Sequence, residues 1–197
     1  YPLTTLLCEQ CGLFQLREIV SPETLFSDYI YFSSFSDTML SYSALHSSQL
    51  IEQYGLTANS LVVELASNDG YLLQFFKQAG IGVLGIEPAQ NIAQVAEAKG
   101  IPTLPAFFDR TLADRLLQDG KQADVIIGKN VLAHVPELND FVEGVRRLLK
   151  PHGVAVFEVP YVKDMLDNLE FDTIYHEHQC YFSVTALRRL FAQHGLG

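Results

Sequence analysis

The chain has 197 residues, 48% of them apolar, and a formal charge of −10 with an isoelectric point near 4.9. That length and apolar content suit one sizeable core, and the acidic balance leaves no broad basic surface for a phosphate backbone, which argues against nucleic acid as a partner. No apolar run reaches the roughly 18 residues of a membrane span, and the opening YPLTTLLCEQCGLFQ lacks a basic n-region, so no membrane partner and a cytoplasmic protein are expected.

Residues 1–35 read as an appended, largely irregular segment rich in Ser, Tyr and Phe, and 36–197 as the main domain. Cys8-Glu-Gln-Cys11-Gly12 has the C-x-x-C spacing of half a zinc knuckle, in which two thiolates from a tight turn reach one ion. A complete structural site needs four ligands and no second pair is present, so a redox pair or two ordinary thiols remain open. Cys180 makes the count odd and argues against a disulfide framework. Ser36-Asp37 predicts a capped helix through about Tyr54, and LVVEL (61–65) a strand followed by a turn and a helix over 70–79. GVLGIEP (82–88) is a second strand, with Pro88 in the first turn of the helix AQNIAQVAEAKG. IPTLPAFF holds a third short strand, TLADRLLQDG a helix, ADVIIGKN a fourth strand, ELNDFVEGVRRLLKPHG a helix, and VAVFEVP a fifth strand ending at Pro160. SVTALRRLFAQHG is a last helix, with Ser183 as cap and Gly195 as stop. The alternation predicts an α/β fold, a Rossmann-like parallel sheet with helices on both faces. Its ligand should lie beyond the carboxyl ends of the strands, in the loops after positions 65, 87, 130 and 159. The start without Met and the close on FAQHGLG lead us to expect a segment of a longer protein.

The loop after the first strand, ELASNDGYLL, runs from Glu64 through Ala66, Ser67, Asn68, Asp69 and Gly70, where a dinucleotide fold would show three glycines. Asn tolerates a left-handed backbone, so the turn can form without them. A nicotinamide pyrophosphate would meet Asp69 uncompensated, whereas S-adenosylmethionine, with a sulfonium, an ammonium and no phosphate, suits an acidic loop. Glu87, at the tip of the second strand about 20 residues on, is placed to accept from both ribose hydroxyls. Solvated loop carboxylates are the alternative for both acids. Asn130 at the fourth strand tip would contact the methionine part of the cofactor. Phe107 and Phe108 follow the third strand where an adenine could stack, or are core aromatics.

VVELASNDGYLLQFF, GVLGIEPAQNIAQVA, NVLAHVPELNDFVEGVRRLLKPHG and DTIYHEHQCYFS, in that order, resemble the S-adenosylmethionine-dependent sugar C-methyltransferases that act on nucleotide-linked keto-deoxysugars. The resemblance runs over nearly the whole chain. It implies an N-terminal zinc-binding segment with two C-x-x-C pairs, then Y-x-S-S-x-S, the methyltransferase fold, and a further C-terminal domain. LLCEQCGLFQL resembles the second pair, making Cys8 and Cys11 ligands of a structural zinc, and YFSSFSD the Y-x-S-S element; the first pair and the last domain have no counterpart here. By resemblance alone Tyr31, Ser33 and Ser34 are substrate contacts. Oligomeric state is not legible.

Methylating a saturated carbon requires a carbanion, which beside a ketone is an enolate, so the site must remove an α-proton and hold charge on oxygen. Tyr175-His176-Glu177-His178 concentrates that chemistry. His178 is the expected base, because imidazole titrates near neutrality. Tyr175 would hydrogen-bond the keto or enolate oxygen, Glu177 would orient one of these groups or raise histidine basicity, and His176 would face substrate. A metal held by the alternating histidines, or an exposed polar loop, stays open. His134, in NVLAHVP, lies beside cofactor and acceptor in such a fold and could carry the proton instead, or simply cap the next helix. An O- or N-methyltransferase, a nicotinamide-dependent sugar oxidoreductase and a non-catalytic zinc-anchored module are the competing functions.

Overall fold

The computed structural model describes residues 2–197. It opens with a hairpin, β1 (Thr5–Leu7) against β2 (Phe14–Leu16), then the short helix α1 (Pro22–Phe26) and a 3-10 turn at Ser33–Phe35. The long helix α2 (Asp37–Tyr54) starts as expected, with the Ser36 side chain accepting from the Met39 N–H, and ends on left-handed Gly55. There follow β3 (Leu61–Leu65), α3 (Leu73–Gln78), β4 (Gly82–Ile86), α4 (Gln90–Ala98), β5 (Thr103–Leu104), α5 (Arg110–Gln118), β6 (Ala123–Lys129), a 3-10 turn at Leu132–His134, and α6 (Leu138–Leu148). The chain closes with β7 (Leu149–Glu158), α7 (Val162–Asp167), β8 (Cys180–Tyr181) and α8 (Val184–Gln193).

The five central strands are parallel, in the order β5-β4-β3-β6-β7. Because the chain starts in the middle and winds outward both ways, the order reverses between β3 and β6, and a crevice opens beyond their carboxyl ends. Side-chain alternation divides the core. Val62, Val125 and Ile127 bury against Leu50, Leu73 and Phe76 of α2 and α3, while Val63, Leu65 and Ile126 bury against Leu112, Phe141, Val145 and Leu148 of α5 and α6. Each such fully buried side chain contributes about 1.5–3 kcal/mol. Rossmann-like topology with helices on both faces is thus what the structure shows.

The differences are local. Residues 1–35 hold two strands and a helix, and β2 pairs antiparallel with β8 through Phe14↔Tyr181 and Gln15↔Cys180, so this segment is joined to the chain that follows YHEH. Strands of two or three residues carry no readable periodicity. The helix expected from 70 begins at Leu73, after a turn, and Pro88 precedes the Ala89 cap of α4 rather than sitting in its first turn. The fifth strand of the large sheet ends at Glu158. Ser183 caps α8 through the Ala186 N–H, and Gly195 follows it at φ 73°. Among the described residues no helix is long and apolar enough to cross a membrane.

Candidate active site

A cavity of about 540 Å³ lies over the carboxyl ends of β3, β4 and β6, roofed by residues 22–33. The loop after β3 shapes one end. Ala66 and Asn68 adopt positive φ of 55° and 48°, and Gly70 a φ of 78°, where an added Cβ would meet Ile101 Cγ1 at 2.8 Å. The turn therefore forms with one glycine, as the asparagine suggested, while Ala66 holds a backbone conformation that L residues adopt at a cost of about 1–3 kcal/mol. Glu87, just beyond β4, accepts from the Asn68 N–H and the Ala89 N–H, each at 2.9 Å. Burial raises its carboxyl above the usual range and the two backbone donors partly offset this. Glu87, Pro88, Ala66 and Asn68 all line the cavity.

The other loop residues do not. Glu64 is fully buried beneath the loop, neither of its oxygens is hydrogen-bonded, and burial drives its carboxyl well above the ordinary value. Ser67 is buried, and its hydroxyl is 2.5 Å from where a Cβ on Gly85 would sit. Asp69 is turned away from the cavity: it pairs with Lys99 Nζ at 2.7 Å and accepts from the Ser34 hydroxyl. An acid expected to face the cofactor's cationic groups is instead neutralised within the protein. Tyr31 and Ser33 line the cavity, whereas Ser34 is spent on Asp69.

At the end of β6, Asn130 has φ 51° and lines the cavity, as does Lys129, which the sequence reading passed over. Lys129 Nζ is buried, 3.3 Å from Glu158 Oε2 in ion-pair reach but without hydrogen-bond geometry, and 4.0 Å above the Tyr42 ring. Phe107 and Phe108 both line the wall, and Phe108 stands edge-on to Phe141 at 5.3 Å, so it is a core aromatic presenting one side to the cavity.

The opposite end is built from the histidines. A carbonyl oxygen can only accept, so His178 Nδ1, 3.2 Å from the Thr173 carbonyl, carries the proton, and its Nε2 accepts from the Tyr175 hydroxyl at 3.1 Å. His134 Nδ1 likewise donates to the Glu177 carbonyl at 2.7 Å, and the Gln179 N–H donates to the Ala133 carbonyl at 2.7 Å. The turn at 132–134 thus clips the YHEH segment in place. The two imidazoles are 5.1 Å apart by ring centroid. Burial first, and for His178 the neighbouring His134 second, holds both below the ordinary histidine value, so both are neutral near pH 7. Tyr175, His178 and His134 line the cavity; His176 and the Glu177 side chain do not, Glu177 acting through its backbone. Phe26 and Tyr29, roofing this end, were also missed; an aromatic cluster inside a low-periodicity segment gives no sequence signal.

Five carboxylates, those of Glu23, Glu87, Asp109, Glu137 and Asp140, face this cavity against the single ammonium of Lys129. Such a field favours a cationic ligand over one carrying a pyrophosphate. A dinucleotide is the poorer fit, and the sulfonium-bearing S-adenosylmethionine the better one. Glu87 retains lone pairs for a ribose, and Lys129 Nζ, buried without a hydrogen-bond partner, is the cation a methionine carboxylate would meet. Zinc fares differently. The Cys8–Cys11 turn is closed by the Gly12 N–H on the Cys8 carbonyl at 2.8 Å, and hydrogen bonds from Cys11 and Gln10 lower the Cys8 thiol. Yet among the described residues no three His, Cys, Asp or Glu side chains gather to hold a metal, at this turn or at YHEH.

Fold and site together define an S-adenosylmethionine-dependent methyltransferase. The match to the family model described as methyltransferase domain, over residues 41–197, shows that the chain belongs to that family. It is 38% identical over 196 residues to the C-methyltransferase NovU of Streptomyces niveus, covering 100% of this chain and 47% of that protein. It is 27% identical over 97 residues to a ubiquinone biosynthesis O-methyltransferase of Bartonella tribocorum, covering 49% of this chain and 39% of the relative. The chain thus spans less than half the length of these curated relatives. Among solved structures, the PH0226 protein of Pyrococcus horikoshii superposes with a TM-score of 0.65 at 18% identity over 83% of this chain and 84% of that one. A SAM-dependent methyltransferase of Archaeoglobus fulgidus gives 0.60 at 17% identity over 78% and 68%.

Proposed function

We propose that this chain carries out carbon methylation beside a ketone, on a nucleotide-linked 4-keto-deoxysugar, through an enolate. The observation that carries the reading is the Tyr175–His178 pair, its two polar ends meeting 3.1 Å apart on the cavity wall. When bound, S-adenosylmethionine supplies the electrophilic methyl group. His178, with its proton fixed on Nδ1, offers Nε2 to the α-hydrogen of an acceptor placed between the pair, and the Tyr175 hydroxyl turns from that nitrogen to the ketone oxygen as it gains charge. Removing the proton leaves His178 as an imidazolium, which the Thr173 carbonyl and the nearby Glu177 both favour. His134 holds the segment through Glu177 and, lining the same cavity, is the second candidate base. O- or N-methylation would need only a lone pair aimed at the methyl group and gives this dyad no work. The 38% identity to a protein named C-methyltransferase also supports carbon as the acceptor. Zinc at Cys8 and Cys11 remains part of the proposal only with donors from outside the described residues, and no catalytic step depends on it. The test is product analysis with a nucleoside-diphosphate 4-keto-deoxysugar: the reading expects the new methyl on the carbon beside the ketone, and an O- or N-methyl product would overturn it.

A further inference from the structure

The roof of the cavity contains a stretch held in an unusual way. Tyr29, Ile30 and Tyr31 make no main-chain hydrogen bond to other main chain among the described residues. Two asparagine side chains take that place. Asn91, in the first turn of α4, accepts from the Tyr29 N–H at 3.2 Å and donates to the Tyr29 carbonyl at 2.7 Å. Asn68, in the loop after β3, donates to the Tyr31 carbonyl at 3.0 Å and accepts from the Ser33 N–H at 2.8 Å. Contacts at 29, 31 and 33 along one edge repeat the pattern of a paired β-strand, in which alternate residues present N–H and C=O to the same neighbour. The side chains obey the same period: Tyr29, Tyr31 and Ser33 line the cavity, while Ile30 between them is 91% exposed.

We propose that Asn91 is a positioning residue for the methyl acceptor: its side-chain amide clasps the 29–33 strap as a substitute strand and so sets Tyr29 in the acceptor end of the cavity, opposite Tyr175 and His178. This deepens the function proposed above and rests on it. The electrostatics agree with the placement, because burial and then the neighbouring Glu177 and Tyr175 raise the Tyr29 phenol. The division of labour between the two clasps is clear. Asn68 ties the strap to the loop that Glu87 braces, whereas Asn91 is absent from the cavity wall and reaches the acceptor end only through Tyr29.

The test uses Asn91→Ala and Asn91→Asp in the full-length enzyme. The aspartate sits in the first turn of a helix, where negative charge is stabilising, so the fold is retained; it still accepts from the Tyr29 N–H but sets a carboxylate oxygen against the Tyr29 carbonyl. For both variants we expect the acceptor KM to rise by roughly tenfold or more, the loss of one to two net hydrogen bonds, with cofactor affinity changed less than about twofold. Amide hydrogen exchange, which needs no substrate, should show faster exchange at Tyr29 in the alanine variant and unchanged protection at Ser33. Faster Tyr29 exchange with an unchanged acceptor KM would overturn the positioning role, and unchanged exchange would overturn the clasp itself. Failure of the wild-type enzyme to turn over any keto-sugar would instead strike at the acceptor assignment, and the positioning role would fall with it.

Discussion

Replacing Glu87 tests two independent consequences of one side chain. The carboxylate is 5% exposed and accepts two backbone N–H groups, from Asn68 and Ala89, one on each oxygen at 2.9 Å. In Glu87→Gln one acceptor survives, but the amide NH2 must face the other N–H, donor against donor. Leaving one buried donor unsatisfied costs about 1–3 kcal/mol, and Glu87→Ala orphans both for up to about twice that. At roughly 2–4 °C per kcal/mol for a chain of this size, the glutamine variant without ligand should melt about 2–12 °C lower. The second consequence is affinity. If the remaining lone pairs hold the ribose hydroxyls, losing a charge-assisted bond costs about 1.5–3 kcal/mol, roughly a 10- to 150-fold weaker cofactor. Calorimetric titration with S-adenosylhomocysteine, beside thermal melts with and without it, reads both. An unchanged melting temperature would refute the hydrogen-bond accounting, and unchanged affinity would remove Glu87 from the cofactor site.

Two further outcomes follow from the titrating groups and the cysteines. Burial depresses His134 and His178, so the neutral base survives to lower pH than an ordinary histidine and the acid limb of kcat/KM should fall below about 6.5. By the same linkage the unfolded chain takes up protons that the folded one refuses, so stability should drop as pH falls through about 6.5; a limb at or above that value, or stability flat through it, contradicts the burial argument. If Cys8 and Cys11 serve a structural zinc, elemental analysis of the full-length protein should find about one equivalent, lost in Cys8→Ser; absence of zinc would leave the turn as two hydrogen-bonded thiols.

What could be read in the sequence was whatever repeats or sits at a strand end. The alternation of LVVEL, GVLGI and ADVIIGK with amphipathic helices announced the parallel sheet, and the strand-end rule found Ala66, Asn68, Glu87, Pro88 and Asn130, all of which line the cavity. The same rule could have found Lys129, one residue before Asn130. Asp69 could not be read correctly, because its partners Lys99 and Ser34 lie 30 and 35 residues away, and only folding decides which side of the loop it faces. Nor could the pairing of β2 with β8, which joins residues more than 160 positions apart through strands of three and two residues. The order Tyr-His-Glu-His suggested four functional side chains; the turn at 175–178 sends Tyr175 and His178 to the cavity and leaves Glu177 to act through its carbonyl.

The central claim, that His178 generates an enolate in this cavity, is tested most directly by solvent exchange at the acceptor. The full-length enzyme, incubated in deuterated water with the keto-sugar and S-adenosylhomocysteine, should exchange the hydrogen on the carbon beside the ketone without turnover. His178→Asn should abolish exchange and methyl transfer together, with cofactor affinity intact, and Tyr175→Phe should slow both by about 10²–10³-fold, the scale of one lost oxyanion donor. Exchange that persists in His178→Asn while methyl transfer is lost would contradict the assignment and move the base to His134.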